Sequence, residues 1–266
     1  MITLYADYGK IYEVVDQGSF PDGTLHLSLP DTYINAVEWR YESDAELFAL
    51  ICIRRHYADC DMRLILPYVP HARMDRVKDP TDVFTLKYFC EVINSLNFDE
   101  VWVLDVHSNV SLALLDRVSP IPIENALNEC MKRINRDDIV LFFPDEGAMK
   151  RYSGIFDKPY AFGIKKRNWQ TGKIEGLQIV NEELVKDKPV LIIDDICSYG
   201  GTFLHSARAL KAAGAGDVYL YITHAENSML KGEMYNTPDL VKKIYTVETI
   251  FGGEDPLGKI DIIQTW

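Results

Sequence analysis

The chain has 266 residues, 47% hydrophobic and 26% charged, which is ordinary for a globular fold and enough for one large domain or two compact ones. With 28 basic against 40 acidic residues the net charge is −12, which argues against a general nucleic-acid binder or a binder of anionic membranes but leaves room for a local cationic pocket. The five cysteines (Cys52, Cys60, Cys90, Cys130 and Cys197) form no CxxC pair, and the opening "MITLYADYGK" lacks the basic start and apolar core of a signal peptide. No apolar run reaches membrane-spanning length, so free thiols, no membrane partner and a cytoplasmic location are expected.

In chain order, "PDG" (21–23) is turn chemistry, and "DAELFALICIRRHY" (44–57) carries apolar residues at helical spacing. "MRLILPYV" (62–69) reads as a buried strand, "VFTLKYFCEVINSL" (83–96) as a helix and "EVWVLDVH" (100–107) as a strand. After "NECMKRINRDD" come strands at 137–145, 188–195 and 217–224, with a helix at 203–214 that stops at Gly214. Alternating strands and helices predict an α/β fold with mainly parallel sheets, divided near 130–137 into domains spanning 1–134 and 135–266.

Open parallel sheets bind ligands beyond the carboxyl ends of their strands. Three predicted strands end in "LDVHSN", "FFPDEG" and "IIDDICSYGGT", and "PYVPHARMDR" adds a fourth polar segment. In the third, Asp194 and Asp195 can hold neighbouring ribose hydroxyls or collect Mg²⁺, and Ser198-Tyr199-Gly200-Gly201-Thr202 opens a helix whose backbone N–H groups suit a phosphate. Thr202 can add a donor or cap the helix. The same string also fits a strand end with solvated acids and a capped helix. There is no GxxxxGK[ST] and no complete GxGxxG, which weakens a Walker-type or dinucleotide-binding reading.

"VLIIDDICSYGGT" resembles the ribose-phosphate signature of ribose-phosphate pyrophosphokinases, the phosphoribosyl pyrophosphate (PRPP) synthetases, which type I phosphoribosyltransferases share. "SFPDGTLHL", "LILPYVPHARMDRV", "VWVLDVHS", "FPDEGAMKR" and "YITH" are similar to further segments of the synthetases and stand in their order. The resemblance implies two phosphoribosyltransferase-like, Rossmann-like domains with the site between them, the synthetases' opening helix being missing here. It implies an enzyme that transfers diphosphate from MgATP to the anomeric hydroxyl of a ribose 5-phosphate unit, releasing AMP. A hairpin that completes a neighbour's site further implies a homo-oligomer.

By the same resemblance, Lys166 is the catalytic lysine of a mobile loop with Arg167 beside it, and His107 and Asp145 are the metal-linked pair. Phe20, Asp22, Arg73, Asp75 and Arg76 are ATP-binding, and Asp194, Asp195, Ser198, Tyr199, Gly200, Gly201 and Thr202 hold the ribose phosphate. The chain departs from the family pattern at Thr24, Met74 and Asn168, and above all at Ser198-Tyr199, which replaces Asp-Thr. A serine and a ring at that loop point to a 5′-substituted acceptor such as ADP-ribose as well as free ribose 5-phosphate. A phosphoribosyltransferase and a non-catalytic regulatory homologue are the alternative readings.

Overall fold

A computed structural model of the chain describes residues 1–6, 11–14, 18–167 and 174–264. It divides into two compact units, Met1–Pro122 and Ile123–Trp266. The first holds β1 (Ile2–Ala6), β2 (Ile11–Val14), β3 (Ile34–Trp39), α1 (Ala45–His56), β4 (Arg63–Leu66), α2 (Thr85–Ser95), β5 (Glu100–Leu104), α3 (Val110–Leu114) and β6 (Val118–Ile121). Its sheet runs β2-β1-β3-β4-β5-β6, parallel from β3 to β6, with β1 antiparallel to both its neighbours. In α2 the buried residues Leu86, Phe89, Cys90 and Ile93 follow the one-face spacing of a helix, which is why that segment docks on the sheet.

The second unit holds α4 (Glu124–Ile134), β7 (Val140–Phe143), α5 (Glu146–Tyr152), β8 (Tyr160–Arg167), β9 (Ile174–Val180), β10 (Val190–Cys197), α6 (Gly201–Ala212), β11 (Val218–Ala225), α7 (Glu233–Asn236), β12 (Lys243–Val247) and β13 (Ile260–Ile263). The sheet order is β13-β12-β11-β10-β7-β8-β9, parallel except for β8 against β9. All four residues of β7 and all eight of β11 are buried, as the uninterrupted apolar runs of a sheet covered on both faces require.

The mainly parallel α/β architecture is as expected, and the corrections are local. The boundary falls at 122/123 rather than 134/135, because α4 belongs to the second unit: Arg133 bonds Asp261 and the Ile262 carbonyl on β13. The strand expected at 62–69 ends at Leu66, just before Pro67, and that expected at 100–107 ends at Leu104, where Asp105 takes a left-handed φ of 41°. The strand expected at 137–145 is Val140–Phe143, stopped at Pro144. That expected at 188–195 runs on to Cys197, and α6 starts two residues early, at Gly201.

Candidate active site

In the second unit the strand order reverses between β7 and β10: β8 follows β7 on one side, and β10 pairs with β7 on the other. Such a switch point opens a crevice at the carboxyl ends of the two strands. Asp145 follows β7 there, and Asp194 and Asp195 lie in the second half of β10. Asp145 Oδ1 accepts from the Gly147 and Ala148 N–H groups at 3.0 and 3.2 Å, so the predicted metal-binding aspartate caps α5.

The two strand-end acids differ in exposure, Asp194 half-buried and Asp195 buried. Asp195 is 4% exposed, and its Oδ2 accepts from Arg151 Nη1 at 2.8 Å. Asp194 Oδ1 accepts from the Asp195 N–H at 3.0 Å. Burial first, then the Asp195 charge, with Asp145 adding, hold the Asp194 carboxyl well above the ordinary carboxylate value of 3.8. Asp194 thus feels the charges of Asp195 and Asp145, and Arg151 is paired with Asp195, so the strand ends would gain from a cation or from hydroxyl donors.

The loop after β10 is built for close approach. Gly200 takes φ 77° and is the N-cap of α6, and the first helical bond runs from the Leu204 N–H to the Gly200 carbonyl at 2.8 Å. No side chain caps this helix, so the half-buried Thr202 does not act as its cap. The N–H groups of Gly201, Thr202 and Phe203 precede that first bond, where a helix offers donors to an anion. Gly232 has an ordinary φ of −77°, yet a Cβ there would stand 1.9 Å from the Tyr199 carbonyl oxygen, so only glycine lets the loop lie where it does. The Tyr199 ring is 61% exposed. Ser198 Oγ lies 3.1 Å from Ser228 Oγ, which donates to Glu226 Oε2 at 3.0 Å. The Thr-His of β11 lies inward: His224 is buried, with Nδ1 3.2 Å from Thr249 Oγ1.

Lys166 and Arg167 end β8 on the antiparallel ladder with β9, paired with Gly176 and Ile174, where a loop was expected. Their side chains, and Asn168, lie outside the described residues.

The first unit gathers its own predicted residues at the ends of β4 and β5. Arg76 grips Asp75 with two bonds, of 2.7 and 2.8 Å, and Ser108 Oγ donates to Asp75 at 2.7 Å. The Arg76 and Ser108 bonds hold the Asp75 carboxyl well below the usual carboxylate range. Asp75 therefore ties the exposed Arg73–Arg76 segment to the loop that carries the half-buried His107. In the hairpin, Asp22 Oδ1 accepts from the Thr24 N–H and hydroxyl at 3.0 and 2.7 Å, and Phe20 is 52% exposed at the tip. His107 and Asp145 belong to different units. Among the described residues no three His, Cys, Asp or Glu side chains form a ready-made metal centre.

Arg151, Ser108, Ser228 and Gly232 carried no signal in the sequence, because each acts through a partner remote along the chain, and Glu226 bears on the loop only through Ser228. Arg151→Ala is expected to remove a charged hydrogen bond from the buried Asp195 carboxylate and to lower stability by about 1–3 kcal/mol. Urea denaturation measures this. The loss should shrink in an Asp195→Asn background, and full additivity would show that the pair is not coupled.

Residues 122–252 match the phosphoribosyl transferase domain family. The chain is 27% identical over 256 residues to the ribose-phosphate pyrophosphokinase of Clostridium tetani, covering 88% of this chain and 76% of that protein. It is 26% identical over 266 residues to the ribose-phosphate pyrophosphokinase of Sulfurisphaera tokodaii, covering 94% and 88%. A solved phosphoribosylpyrophosphate synthetase from Mycobacterium smegmatis has the same fold, with a TM-score of 0.75, 18% identity and coverage of 93% and 84%. With relatives matched along most of its length and a phosphoribosyl transferase match around the acid pair and glycine loop, the chain is similar to the ribose-phosphate pyrophosphokinases.

Proposed function

We propose that the protein transfers diphosphate from ATP to the anomeric hydroxyl of a ribose 5-phosphate unit. The hydroxyl oxygen bonds to the β-phosphorus, the bond from that phosphorus to the α,β-bridging oxygen breaks, AMP leaves, and the hydroxyl proton passes to solvent. The observation that carries this reading is the acid pair at the β7/β10 switch point, followed at once by the Gly200-Gly201 start of α6. Asp194 and Asp195 would take the ribose hydroxyls, and the loop Ser198–Thr202, with the N–H groups of Gly201 and Thr202, the 5-phosphate. Arg73 and Arg76 would serve the ATP phosphates, Asp75 holding Arg76, with Phe20 and Asp22 serving the base of a neighbouring copy in a homo-oligomer. Lys166 and Arg167 would supply positive charge to the transferring group.

Mg²⁺ fits this arrangement as a partner of ATP. It keeps several waters and needs only one or two carboxylates besides phosphate oxygens, and Asp145 and Asp194 offer hard oxygens whose repulsion a cation relieves. Asp145 is proposed as its contact in the second unit, and His107 as the metal-linked residue of the first. When bound, it would neutralise phosphate charge.

The acceptor is proposed to be ribose 5-phosphate or a 5′-substituted form, with ADP-ribose favoured. The exposed ring of Tyr199 supports this, since an aromatic face can stack on a base for roughly 1–3 kcal/mol. The test is incubation with MgATP and each acceptor. AMP release is expected, with kcat/KM higher for ADP-ribose and that preference reduced in Tyr199→Thr. ADP as the product would mean a simple kinase. Consumption of a diphosphate ester and a base without AMP would mean a phosphoribosyltransferase, and no turnover would mean a binding protein.

A further inference from the structure

The hydroxyl groups behind the glycine loop have a fixed direction. Ser228 Oγ donates to the Glu226 carboxylate, 3.0 Å away. A serine hydroxyl has one proton and a carboxylate has none to give, so Ser228 has spent its only donor. Ser198 Oγ lies 3.1 Å from Ser228 Oγ, and the proton between them must therefore come from Ser198. Ser198 is left with lone pairs alone to turn toward the loop. The backbone holds this chain of groups in register, since the Glu226 N–H donates to the Cys197 carbonyl at 2.8 Å and the Ser228 segment leads to the tight contact of Gly232 with Tyr199.

We infer that Ser198 is a specificity-determining hydrogen-bond acceptor, polarised by Ser228 and Glu226, that selects an acceptor substrate presenting a hydroxyl or N–H at this point over one presenting a terminal phosphate. The inference rests on the ribose-phosphate reading of this loop and deepens it. A terminal phosphate brings only oxygens at neutral pH and wants donors, which Ser198 withholds. A ribose whose 5-phosphate continues into a nucleoside brings further hydroxyls and an amino group.

Two variants release the constraint in different ways. Glu226→Gln can donate to Ser228, which reverses the chain and turns the Ser198 proton outward. Ser228→Ala removes the acceptor and lets Ser198 rotate. Binding of ribose 5-phosphate and of ADP-ribose is measured by titration calorimetry without ATP, so the ratio of the two affinities is read in one folded protein. Both variants should shift that ratio toward ribose 5-phosphate by about five- to tenfold, the worth of one hydrogen bond. An unchanged ratio in both variants, a shift toward ADP-ribose, or a wild type that binds neither ligand overturns the inference. Failure of the wild type to release AMP from ATP would instead overturn the diphosphoryl-transfer reading, and the binding ratio would still decide the role of Ser198.

Discussion

Asp194→Asn and Asp195→Asn are each expected to lower diphosphoryl transfer by on the order of 10³ or more, because each removes a charged acceptor from the switch-point crevice. Their stabilities should diverge. Asp195→Asn gives up the ion pair with Arg151 and should unfold at lower urea. Asp194→Asn removes a carboxyl whose folded-state pKa lies above its ordinary value of 3.8. Such a group favours the native state while protonated in both states, below about 3.8, and that contribution is lost as pH rises through the raised value. The melting temperature of Asp194→Asn should therefore match the wild type in acid and exceed it increasingly toward neutral pH. Parallel melting curves at all pH values would show that Asp194 is not the strained acid of the pair, and near-normal turnover in both variants would remove the substrate assignment.

Lys166→Ala is expected to lower kcat on the order of 10² or more while changing the binding of ATP little, since charge brought to a transferring phosphoryl group acts chiefly in the transition state. Lys165 is the control. The two lysines are consecutive in β8, paired across the ladder with Gly176 and Leu177. A crippled Lys165→Ala beside a mild Lys166→Ala would shift the assignment by one residue, and a comparable rise in the KM for ATP would make the effect one of binding.

The parts of this fold that could be read from the sequence are those whose surroundings are uniform. β10 and β11 are central strands covered on both faces, so their apolar runs carry their own signature. α2 repeats its buried face at helical spacing for the same reason. β1, β3, β12 and β13 went unread because short strands with mixed residues depend on sheet partners far along the chain, as Ile2 does on Trp39. The site divides in the same way. Asp194, Asp195 and Gly200 stand in one contiguous string, whereas Arg151 reaches Asp195 across 44 positions and Ser228 reaches Ser198 across 30. Gly232 gives no local signal at all, since its φ is ordinary and its need for hydrogen in place of Cβ arises only from the Tyr199 carbonyl.

That contact has a consequence for how new substrate preferences can arise. A side chain at position 232 would strike the carbonyl of Tyr199 and not its ring, and Tyr199 is exposed. Main chain and side chain at position 199 are thus under separate control: the first is locked by a neighbour that tolerates no change, the second is unconstrained. A single codon change at 199 can exchange the ring for another tip while the loop keeps its shape, so preference among acceptors can drift through neutral intermediates. A change at 232 has no such path, because it would displace the whole loop before any compensating residue could be selected.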